Sequence, residues 1–246
     1  MNHFFVSPSQ VREGTIIIEG GDVNHIRNVL RMKRGEFLEV SDGTGNRYLC
    51  ELERMEADAC FANVMDVWED DVEPAARIFL FQGLPKGDKM ELIIQKAVEL
   101  GVFEIIPVAT RRSVVRLDEK KADKKVARWR AIAEGAAKQS GRGIVPEVRG
   151  VTEFEDALEC AREMDVCLIP YEKAKGMQKT REALDRVAPG KSVAVFIGPE
   201  GGFEGAEIER ARESGALPIS LGKRILRTET AGFTVLAILM YHLECL

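Results

Sequence analysis

An apolar run from Ser192 to Ile197 opens directly into Gly198-Pro199-Glu200-Gly201-Gly202-Phe203. Three glycines and a proline at a strand end make a tight turn. Without Cβ atoms, its backbone can approach a ligand closely and aim N–H groups at it. An ordinary strand-to-helix turn has the same composition, so the loop alone leaves both readings open. It is neither a dinucleotide fingerprint, since no G-x-G-x-x-G is present, nor a Walker loop, since no Gly-Lys-Ser/Thr follows. Gly83-Leu84-Pro85-Lys86-Gly87-Asp88-Lys89 has the wrong spacing for a Walker loop and lacks its hydroxyl. A carboxylate at Glu200 would repel phosphate, so the turn suits a neutral or cationic ligand.

A second loop, Leu221-Gly222-Lys223-Arg224-Ile225-Leu226-Arg227-Thr228-Glu229-Thr230-Ala231, places three basic residues before a helix start. Thr228 or Thr230 can cap that helix, and Glu229 suits its positive end. A solvated, well-capped loop would read the same way. The third loop is Ala109-Thr110-Arg111-Arg112-Ser113-Val114, and the fourth is Ala136-Ala137-Lys138-Gln139-Ser140-Gly141-Arg142. Between Arg111 and Arg142 the local charge is about +7, inside a chain whose net charge is -5. A charge run is usually a solvated helix face, but a local reversal of sign also fits a phosphate-backbone footprint.

The elements that must carry these loops fall into two groups. The first 70 or so residues hold short alternating or apolar runs: Thr15 to Glu19, Glu36 to Ser41, Arg47 to Glu53 and Cys60 to Asp66. Turn signals such as Gly20-Gly21-Asp22 and Asp42-Gly43-Thr44-Gly45-Asn46 separate them, and a helix-like piece, Val23 to Met32, interrupts them. Short strands with tight turns predict a compact β-barrel. The acidic stretch Glu69-Asp70-Asp71-Val72-Glu73-Pro74 reads as a linker, so domains are expected at 1–72 and 73–246.

Beyond it, strand candidates alternate with helical patterns. Strands are expected at Ile78 to Gln82, Phe103 to Val108, Val166 to Pro170, Ser192 to Ile197 and Leu217 to Ser220. Helices are expected at Lys89 to Leu100, Lys124 to Lys138, about Thr180 to Asp185, Glu204 to Ser214 and from about Thr228 onward. Gly101 and Gly215 stop two of them. This alternation predicts an α/β unit with a mostly parallel sheet covered on both faces, whose ligands sit beyond the carboxyl ends of the strands.

Composition narrows the class. With 246 residues, 45% hydrophobic and 30% charged, the chain can bury a proper core. Its five cysteines form no C-x-x-C pair and the three histidines are scattered, so no metal site is expected and a reducing compartment fits. No basic n-region leads into an apolar stretch at the start, and Ala231 to Tyr241 is too short to span a bilayer. A cytoplasmic protein without membrane partners is expected.

The loops in this order resemble the RsmE family of 16S ribosomal RNA uridine-N3 methyltransferases, within the SPOUT superfamily. The matching residues are Gln82 to Glu91, Gln95 to Val102, Thr110 to Ser113, Gln139 to Arg142, Ile197 to Phe203 and Leu221 to Ala231. The N-terminal unit, with His25, Val29-Leu30-Arg31 and Lys33, is similar to the family's PUA-like barrel. The chain departs from it at Asn2-His3, where members often carry arginine.

The resemblance implies a SPOUT parallel sheet with a trefoil knot, S-adenosylmethionine as cofactor, ribosomal RNA or the small ribosomal subunit as partner, and a homodimer. An almost wholly apolar last helix (Phe233, Val235, Leu236, Ile238, Leu239, Met240) fits a dimer, and equally fits burial in one subunit. It also implies that Ile197, Gly198, Pro199, Glu200, Gly201 and Gly202 hold the cofactor together with Leu221, Gly222, Ile225, Leu226, Thr230 and Ala231. The strand end Leu168-Ile169-Pro170 would complete that pocket. Arg227 would stabilise the uridine anion. Glu229 would act as a base or only as a helix cap. Arg27, Arg31, Lys33, Lys86, Arg111, Arg112, Arg116 and Arg142 would contact RNA. Two other readings stay open: a methyltransferase of this fold acting on another nucleotide, and an RNA-binding accessory protein without catalysis. A nicotinamide-dependent oxidoreductase ranks third, because its fingerprint is missing.

Overall fold

A computed structural model describes residues 1–115 and 118–245, the side chain of Glu119 excepted. The chain divides into two compact units: Met1–Glu73 with Ala137–Val145, and Pro74–Ala136 with Pro146–Leu246.

The first unit is a six-stranded sheet. Its strands are β1 (His3–Phe5), β2 (Val11–Arg12), β3 (Thr15–Glu19), β4 (Phe37–Ser41), β5 (Asn46–Met55) and β6 (Ala59–Glu69). They lie in the order β1-β4-β5-β6-β3-β2, antiparallel except for β1 beside β4. Period-two patterning drives Ile16 and Ile18 of β3 inward against Phe4, Ile26, Leu38, Val40 and Leu52. Register shifts at Leu49/Cys50 and Leu52/Arg54 bend the long β5–β6 pair.

Two sequence expectations change here. The helix expected over Val23 to Met32 is a short turn, α1 (Gly21–Asn24), that widens into a π-helical turn at His25–Val29. Arg31, at φ 54°, then takes the left-handed backbone, and the Met32 N–H reaches back to Ile26 O at 3.0 Å, closing the helix early. The acidic linker is also ordered structure. Glu69 ends β6, Asp70 pairs with Arg47 at 2.9 Å, and Glu73 accepts hydrogen bonds from Arg142 Nε (2.8 Å) and the Gly143 N–H (2.9 Å).

The second unit is a parallel sheet of β7 (Arg77–Gly83), β8 (Glu104–Ala109), β9 (Glu147–Val148), β10 (Thr152–Glu153), β11 (Val166–Pro170), β12 (Ser192–Ile197) and β13 (Leu217–Ile219). The order is β10-β8-β7-β12-β11-β13, with β9 also pairing to β8. Helices α2 (Lys89–Glu99), α3 (Glu119–Ser140), α4 (Phe154–Ala161), α5 (Gln178–Leu184), α6 (Gly205–Glu213) and α7 (Thr228–Glu244) follow in the chain. The central strands β7 and β12 are buried on both faces, which is why they read as unbroken apolar runs. Phe81 of β7 and Phe196 of β12 stack with ring centroids 4.4 Å apart. Helix α4 was not expected from the sequence. It buries Phe154, Ala157, Leu158 and Ala161, an i, i+3, i+4, i+7 stripe. Among the described residues no helix is long and apolar enough to cross a membrane. All five cysteines are free thiols, and burial pushes those of Cys50 and Cys167 up to about 12.

Candidate active site

Parallel strands point all their carboxyl ends the same way, and a crevice forms where neighbouring strands send their loops apart. Here the loops after β11, β12 and β13 surround a cavity of about 280 Å³. Its wall is Ile197–Phe203, faced by Ser220–Leu226, with Pro170–Glu172, Thr228 and Ala231 closing the sides. The size is close to the lower end, about 300 Å³, of small-molecule pockets.

The glycine turn is built by close contact. The Gly202 N–H donates to Pro199 O at 2.8 Å, and Gly202 adopts φ 64°, a backbone that L side chains resist. A Cβ on Gly198 would lie 3.0 Å from Gly202 Cα. A Cβ on Gly83 would lie 2.7 Å from Pro199 Cδ, so the end of β7 can press against the turn only as glycine. Arg112 covers Gly201: a Cβ there would be 3.2 Å from Arg112 Cβ, and Arg112 Nη1 donates to Gly201 O at 2.7 Å.

Beneath the turn runs a buried hydrogen-bond chain. Gln82, fully buried at the end of β7, donates from Nε2 to Gly83 O and to Thr228 Oγ1, each at 2.9 Å. The Thr228 hydroxyl donates in turn to Gly198 O at 2.7 Å. Neither Thr228 nor Thr230 therefore caps α7; the cap position is Arg227, in extended backbone, without a side-chain cap. Thr228 instead ties the head of α7 to the glycine turn.

Charge is concentrated beside this chain. Lys89, the first residue of α2, contacts Glu200 at 2.9 Å and Glu229 at 3.6 Å. Burial works against the Glu200 carboxylate, but the Lys89 ammonium and the Lys86 N–H outweigh it and hold its pKa below the usual range. The Lys89 pKa is raised, chiefly by its hydrogen bond to Glu200.

Of the residues expected to hold a cofactor, Pro170, Ile197, Gly198, Pro199, Glu200, Gly201, Gly202, Leu221, Gly222, Ile225, Leu226 and Ala231 all line the cavity. Leu168 and Ile169 are fully buried in β11 beneath it and do not line it. Thr230 is exposed, and its carbonyl accepts the Thr234 hydroxyl. Sequence reasoning missed Tyr171, Glu172, Phe203, Ser220, Lys223, Arg224 and Thr228, each within two positions of a residue it chose.

The expected RNA contacts divide. Arg31, Lys33, Lys86, Arg111 and Arg112 are exposed; Arg27 is half-buried and its guanidinium donates to Glu56 O. Arg111 also lines a second cleft of about 510 Å³ with Thr110, Ser113 and Glu207. Arg116 lies outside the described residues. Arg142, also expected to contact RNA, is only 4% exposed, and its guanidinium donates to Glu73. Among the described residues no group of three His, Cys, Asp or Glu side chains is placed to hold a metal.

Comparison with known proteins places this geometry. Residues 72–240 match the RNA methyltransferase domain family, and residues 18–65 match the RNA methyltransferase PUA domain family. The chain is 39% identical over 252 residues to ribosomal RNA small subunit methyltransferase E of Bacillus subtilis, covering 100% of this chain and 98% of that one. It belongs to the ribosomal RNA small subunit methyltransferase E family. Another member, from Mesomycoplasma hyopneumoniae, is 34% identical over 96% of this chain and 97% of its own. Among solved structures, methyltransferase E from Neisseria gonorrhoeae bound to S-adenosyl methionine superposes with a TM-score of 0.86 at 33% identity, covering 98% of this chain and 97% of that one. The family therefore contains the small β unit and the parallel-sheet unit described above.

Proposed function

We propose that this chain transfers the methyl group of S-adenosylmethionine to N3 of a uridine in small-subunit ribosomal RNA. The cavity at the Gly198–Gly202 turn carries the reading. It is walled by two backbone-rich loops and lies at the carboxyl ends of three parallel strands, in a chain of the methyltransferase E family.

The residues present suit the cofactor. Glycines 198, 201 and 202 bring side-chain-free backbone to the cavity wall, and Ile197, Pro199, Leu221 and Leu226 offer apolar contact to an adenosine. The carboxylates of Glu172 and Glu200 suit a cationic sulfonium and an ammonium group. When bound, S-adenosylmethionine supplies a methyl group on that sulfonium, which leaves as a neutral thioether. The protein's task is to orient the uridine and deal with its N3 proton. Glu229, at the start of α7, accepts that proton. Arg227, exposed beside it with no ion pair among the described residues, stabilises the charge that develops on the base.

Arg111, Arg112 and Lys86 contact the RNA near the cavity, and Arg27, Arg31 and Lys33 contact it on the small β unit. The target is read as an unpaired or opened base, because N3 lies on the pairing edge. The chain works in the cytoplasm as a homodimer with a trefoil knot in the second unit. Exposed Tyr241 on α7 and Leu92 on α2 support a dimer face.

Calorimetric titration of S-adenosylmethionine into the protein and into a Gly201→Trp variant tests the reading. Micromolar-range binding that disappears in the variant supports it. Methyl transfer is then assayed by mass spectrometry of nucleosides from 16S ribosomal RNA and from small subunits. An intact protein that binds no cofactor refutes the assignment.

A further inference from the structure

Two adjacent glycines leave the peptide unit between them free to rotate, because neither has a Cβ to restrict its backbone. Gly201 and Gly202 stand in that relation on the wall of the cavity. Their shared peptide is nevertheless held at both ends. Its N–H, on Gly202, donates to Pro199 O at 2.8 Å, inside the turn. Its carbonyl, on Gly201, accepts from Arg112 Nη1 at 2.7 Å, from a loop 89 residues earlier in the chain. The arginine stem lies along the same glycine: Cβ, Cδ and Cγ of Arg112 are 3.2, 3.4 and 3.8 Å from where a Gly201 Cβ would stand. Arg112 reaches the turn from a fixed base. The loop after β8 closes on itself, the Thr110 N–H donating to Ser113 Oγ at 3.2 Å and the Ser113 N–H to Thr110 O at 3.1 Å. Between them the Arg111 N–H donates to Glu207 Oε1 at 3.0 Å, and the other oxygen of that buried carboxylate takes the Glu204 N–H at 2.7 Å. Glu204 is the cap of α6, so the loop grips both the glycine turn and the helix that follows it.

We propose that Arg112 is a positioning residue for S-adenosylmethionine: its guanidinium locks the Gly201–Gly202 peptide and so sets the cavity wall before any RNA is bound. Without the arginine, the bond from the Gly202 N–H to Pro199 O is the one tether left on that peptide, and the turn samples orientations that do not fit a ligand. The apparent affinity then falls in proportion to the fraction of turns still in the fitting shape. The inference rests on the proposed function for the identity of the ligand. It adds to the RNA contact of Arg112 a task that needs no RNA. The two are compatible, because among the described residues the other guanidinium N–H groups of Arg112 meet no partner and can face a phosphate.

The test is calorimetric titration of S-adenosylmethionine, with no RNA present, into wild type, Arg112→Met and Arg112→Lys. Amide hydrogen exchange of the unliganded proteins is followed by mass spectrometry in parallel. Arg112→Met keeps an apolar stem along Gly201 and removes the donor. It should bind S-adenosylmethionine at least about fivefold more weakly, the scale of one hydrogen bond. Arg112→Lys keeps a donor on a shorter stem and should recover part of the loss. Exchange should quicken in Arg112→Met across residues 198–203 and stay at the wild-type rate across β12, a local loosening that general destabilisation does not produce.

Wild-type affinity in Arg112→Met overturns the inference and leaves Arg112 as an RNA contact alone. A weakened affinity accompanied by faster exchange throughout the parallel-sheet unit also overturns it, because the loss then belongs to the fold and not to the turn. An Arg112→Lys variant as weak as Arg112→Met, with exchange across residues 198–203 unchanged in both, does the same. A wild type that binds no S-adenosylmethionine overturns the proposed function and this inference together.

Discussion

Replacing Thr228 with valine keeps the side-chain shape and removes one hydroxyl. That hydroxyl has two bonds: it accepts from Gln82 Nε2 at 2.9 Å and donates to Gly198 O at 2.7 Å. Thr228 is only 5% exposed, so water does not simply replace it. The Gly198 carbonyl loses its donor, at a cost of about 1–3 kcal/mol for a buried unpaired acceptor. Gln82 Nε2 keeps its bond to Gly83 O, so its share is smaller, about 0.5–1 kcal/mol. The sum is about 1.5–4 kcal/mol, measured by urea unfolding as a lower midpoint at unchanged slope. The slackened turn should also weaken S-adenosylmethionine binding, by at least about tenfold if about 1.4 kcal/mol of the loss falls on the bound state. Gln82→Leu makes the contrast: it removes a donor but also the buried, unpaired Oε1, so it should cost less than Thr228→Val. A Thr228→Val variant within about 0.5 kcal/mol of wild type and with unchanged cofactor affinity would refute the idea that this chain of bonds sets the turn.

Two further predictions follow from other parts of the chain. Burial, aided by the Arg47 charge, lowers the His3 pKa to about 4 from 6.5, with Nε2 on Ser41 Oγ at 2.9 Å. The unfolded chain therefore takes up this proton first, so the contribution is complete above pH 6.5 and is lost as pH falls toward 4. At about 1.4 kcal/mol per unit this amounts to about 3 kcal/mol, and unfolding of His3→Gln at pH 7.5 and 4.5 should show a correspondingly smaller pH effect than wild type. Gly101→Ala adds a Cβ at φ 82°, 2.6 Å from Pro74 Cγ and 2.8 Å from Met240 Sδ. Left-handed strain of about 1–2 kcal/mol and overpacking of about 1–3 kcal/mol should lower the thermal midpoint clearly, and an unchanged midpoint would show that α7 yields at Met240.

Elements whose residues announce themselves locally were legible. Val166–Pro170 and Ser192–Ile197 have the bounds read from their apolar runs, and Gly101 ends α2 as its position suggested. The cavity wall was legible for the same reason, since three glycines after a strand constrain the backbone wherever it folds. Features made by distant partners were not. Arg142 reads as an RNA contact until Glu73 is placed on it, and no local pattern links Lys89 to Glu200 and Glu229. Strand β1 holds three residues, too few for any period to show, and exists through pairing with β4. The π-helical turn depends on Arg31 adopting a backbone that residue type rarely takes, which no pattern signals.

The register of the second sheet bears on how the chain is born. β12 lies between β7 and β11, and Ser192 pairs with Arg77, so a strand made late completes the centre of a sheet begun much earlier. At translation rates of about 5–20 residues per second, β7 waits roughly 5–20 s beside the ribosome with two apolar faces and an open edge before its neighbour emerges. A nascent chain in that interval exposes the kind of surface that is prone to aggregate. Slowing synthesis between the two strands should then raise the fraction that aggregates, without changing any contact of the finished protein.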